Sequence, residues 1–189
     1  MTPAATAQSD ADKGIDPAPR AKAQAGDPNA EFQFALRLMS GSGVPQDTTE
    51  AMIEFQKAAK KGNAKAQDLL GQIYDEGGLG KAVPGPDGSY RVVEFHAVPK
   101  DFVLAAKWYR MAAEQGEAHA QNRLGSLYAD GRGVPQDYAE AYFWLSLASS
   151  KGSHSSTDGV DDRDLAASHL TKTVLLQTQE RARKWFAAH

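Results

Sequence analysis

An all-α fold, an αα-solenoid of three helix-pair repeats with C-terminal capping helices and one inserted β-hairpin-like loop, follows from three observations on the sequence. The string Gly41-Ser42-Gly43-Val44-Pro45-Gln46-Asp47 returns as Gly131-Arg132-Gly133-Val134-Pro135-Gln136-Asp137, an offset of 90. Between them Gly62 to Gly77 aligns with Gly26 to Gly41, and Asp101 to Gly116 aligns with Asp137 to Gly152, both at an offset of 36. From Gly41 to Val44 takes three steps and from Gly77 to Val98 takes 21, so the middle copy carries 18 additional residues and is interrupted, not degenerate.

Residues 1 to 18 are rich in Ala, Asp, Pro and Thr and read as disordered; the repeat array spans 19–152. Its three units are 26–62, 62–116 with the insertion 78–97, and 116–152. Ahead of the first unit, Ala23 and Gly26 sit where Ala59 and Gly62 sit one period later, which predicts a half helix over residues 19 to 25 covering the first repeat.

The first helix of each pair places Ala30, Phe34, Ala35 and Leu38, then Ala66, Leu70, Gly71 and Tyr74, then Ala120, Leu124, Gly125 and Tyr128 at three- and four-residue spacing. The small residue in each set lets the partner helix approach closely. The second helices start at Asp47, Asp101 and Asp137, where a carboxylate caps free amides, and end at Gly62, Gly116 and Gly152, where glycine takes a left-handed turn cheaply. Along them Ala51, Phe55 and Ala59 correspond to Ala105, Tyr109 and Ala113 and to Ala141, Leu145 and Ser149. Pro45, Pro99 and Pro135 keep the preceding residue extended and stop the first helix from running on.

The insertion holds a turn signal, Pro84-Gly85-Pro86-Asp87-Gly88, between Leu79 to Val83 and the β-prone run Tyr90 to Ala97, so a hairpin is expected there. Two strands alone are marginal and must lean on something: the solenoid's own groove, or a partner strand added to the edge. Tyr90, Arg91, Glu94, Phe95 and His96 are its candidate recognition residues. Residues 153–189 read as capping helices, with Asp161 or Asp162 capping one and Thr171 a second, whose Leu175, Ala182, Trp185 and Phe186 form an apolar stripe that packs as core.

The pattern A-x-x-x-L-G-x-x-Y-x-x-G-x-G-V-x-x-D, followed by Ala, an aromatic and a second Ala before Gly, resembles the Sel-one-like repeat (SLR) family, itself similar to tetratricopeptide repeats. The resemblance covers Gly26 to Gly152, about two thirds of the chain, and extends into the tail through Arg163-Asp164, Leu170-Thr171, Gln179, Ala182 and Trp185. The first copy departs from it, with Ala35 and Leu38 where Gly and Tyr are usual. The resemblance implies that the first helix of each pair lines the inner curve of a superhelix. Its groove would then present Asn29, Phe32, Leu36 and Met39, then Lys65, Asp68, Gln72 and Asp75, then His119, Asn122, Ser126 and Ala129, apolar at one end and polar at the other. A peptide with a hydrophobic anchor beside polar or basic residues suits such a surface, unless Phe32, Leu36 and Met39 are covered by the N-terminal segment.

Composition excludes several other readings. A net charge of -3 provides no basic field to gather nucleic acid or anionic lipid, and no apolar run approaches the ~18 residues of a membrane span. The absence of cysteine removes disulfides, thiolate metal sites and thiol nucleophiles together. The five histidines, at 96, 119, 154, 169 and 189, never fall at metal-ligand spacing on one helix, and Glu94 with His96 lacks a third ligand, so no metal or cofactor is expected. The Asp158, Asp161, Asp162 and Asp164 group lacks the order of a calcium loop. No G-x-S-x-G or S-x-x-K occurs, and the Gly-Ser-Gly and Gly-Arg-Gly turns join helices instead of following a strand. The opening Met-Thr-Pro-Ala-Ala reads as an exported bacterial protein whose signal has been replaced by a start codon, which favours the bacterial periplasm over the cytoplasm. The expected function is therefore a non-catalytic adaptor for a protein or peptide. The alternative is a small-ligand-binding or hydrolytic protein, related to β-lactam binding, with its site between insertion and groove.

Overall fold

The computed structural model describes residues 18–79, 82–84, 90–92, 96–150 and 162–189. Three helix pairs follow one another: α2 (Pro28–Ser40) with α3 (Thr48–Lys60), α4 (Ala64–Glu76) with α5 (Phe102–Glu114), and α6 (Ala118–Asp130) with α7 (Tyr138–Ser150), each helix 13 residues long. A short helix α1 (Ala18–Gln24) packs on α2 ahead of the first pair, and α8 (Asp162–Ser168) and α9 (Lys172–Ala188) pack on α7 behind the last. The half helix and the capping helices expected from the sequence are both present.

Each joint is built alike. The first helices end in left-handed glycines, Gly41, Gly77 and Gly131, with φ of 70°, 76° and 68°. The second helices are capped by Asp47, Asp101 and Asp137, whose carboxylates accept from the backbone N–H groups of Glu50, Leu104 and Glu140. The chain is then pinned back: the N–H of Asp47 donates to the carbonyl of Leu38 at 3.0 Å, that of Asp101 to Tyr74 at 2.9 Å and that of Asp137 to Tyr128 at 3.0 Å.

Packing inside each pair follows the small-residue rule. A Cβ on Gly71 would meet the Tyr109 ring at 2.5 Å, and one on Gly125 would meet Leu145 Cγ at 2.6 Å. Ala35 holds the corresponding place in the first pair and, like Phe55, is fully buried. Helix α7 departs from the one-sided pattern: Tyr142, Phe143, Trp144, Leu145 and Leu147 are all buried, because α6 covers one side and the capping helices another.

The insertion forms two antiparallel strand pairs. β1 (Gly78–Leu79) pairs with β4 (His96–Ala97), Gly78 opposite Ala97, and β2 (Ala82–Pro84) pairs with β3 (Tyr90–Val92), Val83 opposite Arg91. The turn around Asp87, and the candidate residues Glu94 and Phe95, lie outside the described residues. The ribbon does not stand clear of the array: β2 runs against α2, and β3 runs against α4.

Candidate functional site

The helices that the resemblance assigns to the inner curve are α2, α4 and α6, and six of the twelve positions expected on its groove are buried. Phe32 and Met39 are 2% and 1% exposed, with the Phe32 ring tilted against Phe55 at 5.7 Å between centroids. Leu36 is half-buried. Asp68, Gln72, Asp75 and Asn122 are buried as well, while Lys65 and Asn29 are exposed and Ser126 and Ala129 are intermediate. The expectation of a free graded surface is thereby corrected. Phe32 and Met39 turn into the core formed with the outer helix, and Asp68, Gln72 and Asp75 are met by side chains of α6.

Polar contacts join α4 to α6. His119 Nδ1 lies 2.9 Å from Asp68 Oδ1, and the Gln72 amide nitrogen lies 3.4 Å from the same ring. Arg123 donates to Asp75 Oδ2 at 2.5 Å, and Arg132 stands 3.9 Å from Oδ1 of the same carboxylate. The Tyr109 hydroxyl, at the far end of the ring that fills the Gly71 notch, donates to Asp75 at 3.5 Å. Burial, followed by the charges of Asp68 and Asp75, pushes the Tyr109 phenol well above its ordinary range, against the opposing pull of Arg123. Burial opposes the charge of Arg123, yet the Asp75 carboxylate bonded to it holds the guanidinium above its already high value. The phenol is therefore neutral and Arg123 and Asp75 form a charged pair.

One further polar position recurs in every unit. Gln67 and Gln121, both almost fully buried, donate to the carbonyls of Ala59 and Ala113 on the preceding outer helix, at 2.9 and 3.1 Å. Gln115 donates to Gln67 Oε1 at 2.7 Å. In the first unit the same two positions hold Glu31 and Lys61, joined at 2.5 Å. Sequence reasoning missed Arg123, Tyr109, Arg132 and this glutamine ladder. Arg123 sits beside the core position Leu124, and nothing in a period reports how far an arginine reaches; the ladder was visible as a Gln at the same place in two copies.

Ser126, the hydroxyl nearest this row in sequence position, donates to the Asn122 carbonyl and has no base beside it in that bond. Among the described residues no three His, Asp or Glu side chains converge as metal ligands, and no helix is long and apolar enough to cross a membrane.

These features define a two-helix repeat array with a polar inner seam. The Sel1 repeat profile matches residues 28–63, 95–117 and 118–153, and the chain belongs to the Sel1 repeat family. Members of this family generally serve as scaffolds for protein interaction. The chain is similar to the alginate biosynthesis protein AlgK of Azotobacter vinelandii, 34% identical over 68% of this chain and 24% of that protein. Among solved structures it resembles a Sel1 repeat protein from Oxalobacter formigenes, with a TM-score of 0.59 and 37% identity over 69% of this chain and 33% of that one. It also resembles c5321, a protective antigen of uropathogenic Escherichia coli with an SLR fold, with a TM-score of 0.57 and 38% identity over 71% of this chain and 25% of that one. The chain thus spans a quarter to a third of the length of these three proteins.

Proposed function

We propose that this protein is a non-catalytic scaffold that receives a protein or peptide segment on the inner side of α2, α4 and α6, and that the inserted ribbon is the cover of that side. The observation that carries the reading is the course of the ribbon, with β2 against α2 and β3 against α4, the helices that bear Phe32, Leu36, Met39, Asp68, Gln72 and Asp75. A segment that displaced it would meet an apolar stretch on α2, then the side-chain amides and carboxylates of α4, then His119, Asn122 and Ser126 on α6. A strand added to the ribbon's open edge is the competing mode of capture.

Buried ionisable groups next to the ribbon would favour the second reading, a small-ligand or hydrolytic site. Asp75 and Tyr109 are buried ionisable groups on α4 and α5, and the half-buried Arg123 reaches Asp75 from α6. Their charges are spent on one another, however, and the arrangement supplies no activated nucleophile, so it supports a structural seam between repeats.

The test is affinity capture from the source organism with the full chain and with a variant in which Gly78–Ala97 is replaced by Arg-Gly, the two residues that join Gly131 to Val134 in the third repeat. A cover predicts more of the same partner on the shortened chain. Loss of the partner assigns recognition to the ribbon edge, and equal capture removes the ribbon from the account.

A further inference from the structure

At the N-terminal end, between α1, α2 and α3, lies a cavity of about 450 Å³ walled by Arg20, Glu31, Glu50, Glu54, Lys57 and Lys61, with Phe34 and Ala23 beneath. Its origin is legible in the repeat. Glu54 and Lys57 occupy the places held by Trp108 and Met111 in the second unit and by Trp144 and Leu147 in the third. Trp108 packs on the core of the unit before it, and Trp144 and Leu147 are buried in theirs. The first unit has charged side chains where the others carry bulky apolar ones, and space is left where the others are filled.

The Glu31 and Glu54 side chains lie deep, 3% and 10% exposed, whereas Lys57 at 52%, Lys61 at 43%, Arg20 at 33% and Glu50 at 36% stand at the rim, with Lys57 donating to Glu54 at 2.6 Å and Arg20 to Glu50 at 3.2 Å. Glu31 Oε1 accepts from Lys61, but Oε2 is buried with no hydrogen-bond donor. The glutamines at the corresponding places, Gln67 and Gln121, direct an amide to the preceding helix; a carboxylate cannot donate in that way and instead needs a donor brought to it.

We infer that this cavity binds a small zwitterion of amino-acid to dipeptide size. Its ammonium is set against Glu31 and Glu54, and its carboxylate against the rim cations Lys57, Lys61 and Arg20. The volume falls within the about 300–1,000 Å³ of small-molecule sites. A purely anionic ligand would bring no charged donor to Glu31 Oε2, and a dication would set its second charge among the rim cations.

Calorimetry on the full chain tests this with L-alanyl-L-alanine, its N-acetyl derivative and its amide. The dipeptide is expected to bind, with the N-acetyl form and the amide each weaker by about tenfold or more. Glu31→Gln installs the residue of the other two units, so it should melt like the parent and bind the dipeptide about tenfold less tightly or worse. Glu54→Trp fills the cavity as Trp108 and Trp144 do in their units, and should abolish binding without loss of helicity. No binding at millimolar dipeptide, equal affinity for the N-acetyl form, or undiminished binding by either variant overturns the proposal.

Discussion

In the second repeat the chain leaves α4 at Gly77, runs out through the paired strands and returns at Val98; in the third it leaves α6 at Gly131 and turns through Gly133 directly to Val134. The two nevertheless close on the same bond, from Asp101 to Tyr74 and from Asp137 to Tyr128, and the first repeat closes likewise from Asp47 to Leu38. In the second, Val98 also donates to the carbonyl of Gly77 at 3.2 Å, so the joint is complete beneath the ribbon. The comparison teaches that the added residues are mounted on a finished scaffold. On the function proposed above, what they change is access to the inner side, and loop length itself enters stability only logarithmically.

If the two repeats share one scaffold, breaking the helix crossing must hurt both equally. Gly71→Leu and Gly125→Leu should each cost about 3 kcal/mol, since a branched side chain would be driven into Tyr109 or Leu145. Urea melts of both variants measure this, and a large asymmetry between them would show that the ribbon carries part of the second repeat's stability.

The turn glycines sharpen the comparison further. Gly133 and Gly43 occupy the same place, with φ of 69° and 70°, but a Cβ on Gly133 would collide with the backbone of Phe102, whereas one on Gly43 meets open space. Gly43→Ala should cost about 1 kcal/mol for the left-handed conformation alone. Gly133→Ala should cost clearly more, by the same melts, because the third repeat's turn abuts the second repeat's outer helix.

A smaller effect isolates Tyr109, which stands where Phe55 and Leu145 stand in the other units. With its phenol held well above the ordinary value of 10.0, the folded state keeps a proton that the unfolded chain gives up. The resulting stabilisation is present below pH 10 and is lost as the pH rises beyond it. Tyr109→Phe should cost about 1 kcal/mol at neutral pH, for the lost bond to Asp75, and should show a shallower alkaline decline. Thermal melts between neutral and alkaline pH decide it, and equal slopes for parent and variant would contradict the burial of the phenol.

Much of this architecture could be read from residue order. A constant offset located the units, the Asp and Gly positions located their ends, and Gly71 and Gly125 marked the crossings, because each depends on local backbone geometry or on one helix touching the next in sequence. The β-prone run marked the returning strands β3 and β4 for the same reason. The state of the inner side could not be read. Whether Asp68 and Asp75 face water depends on His119 and Arg123, about 50 residues away, which no local pattern encodes. The cavity beside α1 lay between these extremes: Glu54 against Trp108 and Trp144 was visible as a break in the repeat, but its meaning required the depth ordering of the charges.

The central claim, that the ribbon covers an inner side whose scaffold closes without it, is tested most directly on the chain with Gly78–Ala97 replaced by Arg-Gly, by titrating an apolar fluorescent dye alongside circular dichroism. The account predicts unchanged helicity with markedly stronger dye binding as the inner side of α2 and α4 opens; dye binding equal to that of the full chain, or a loss of helicity, would contradict it.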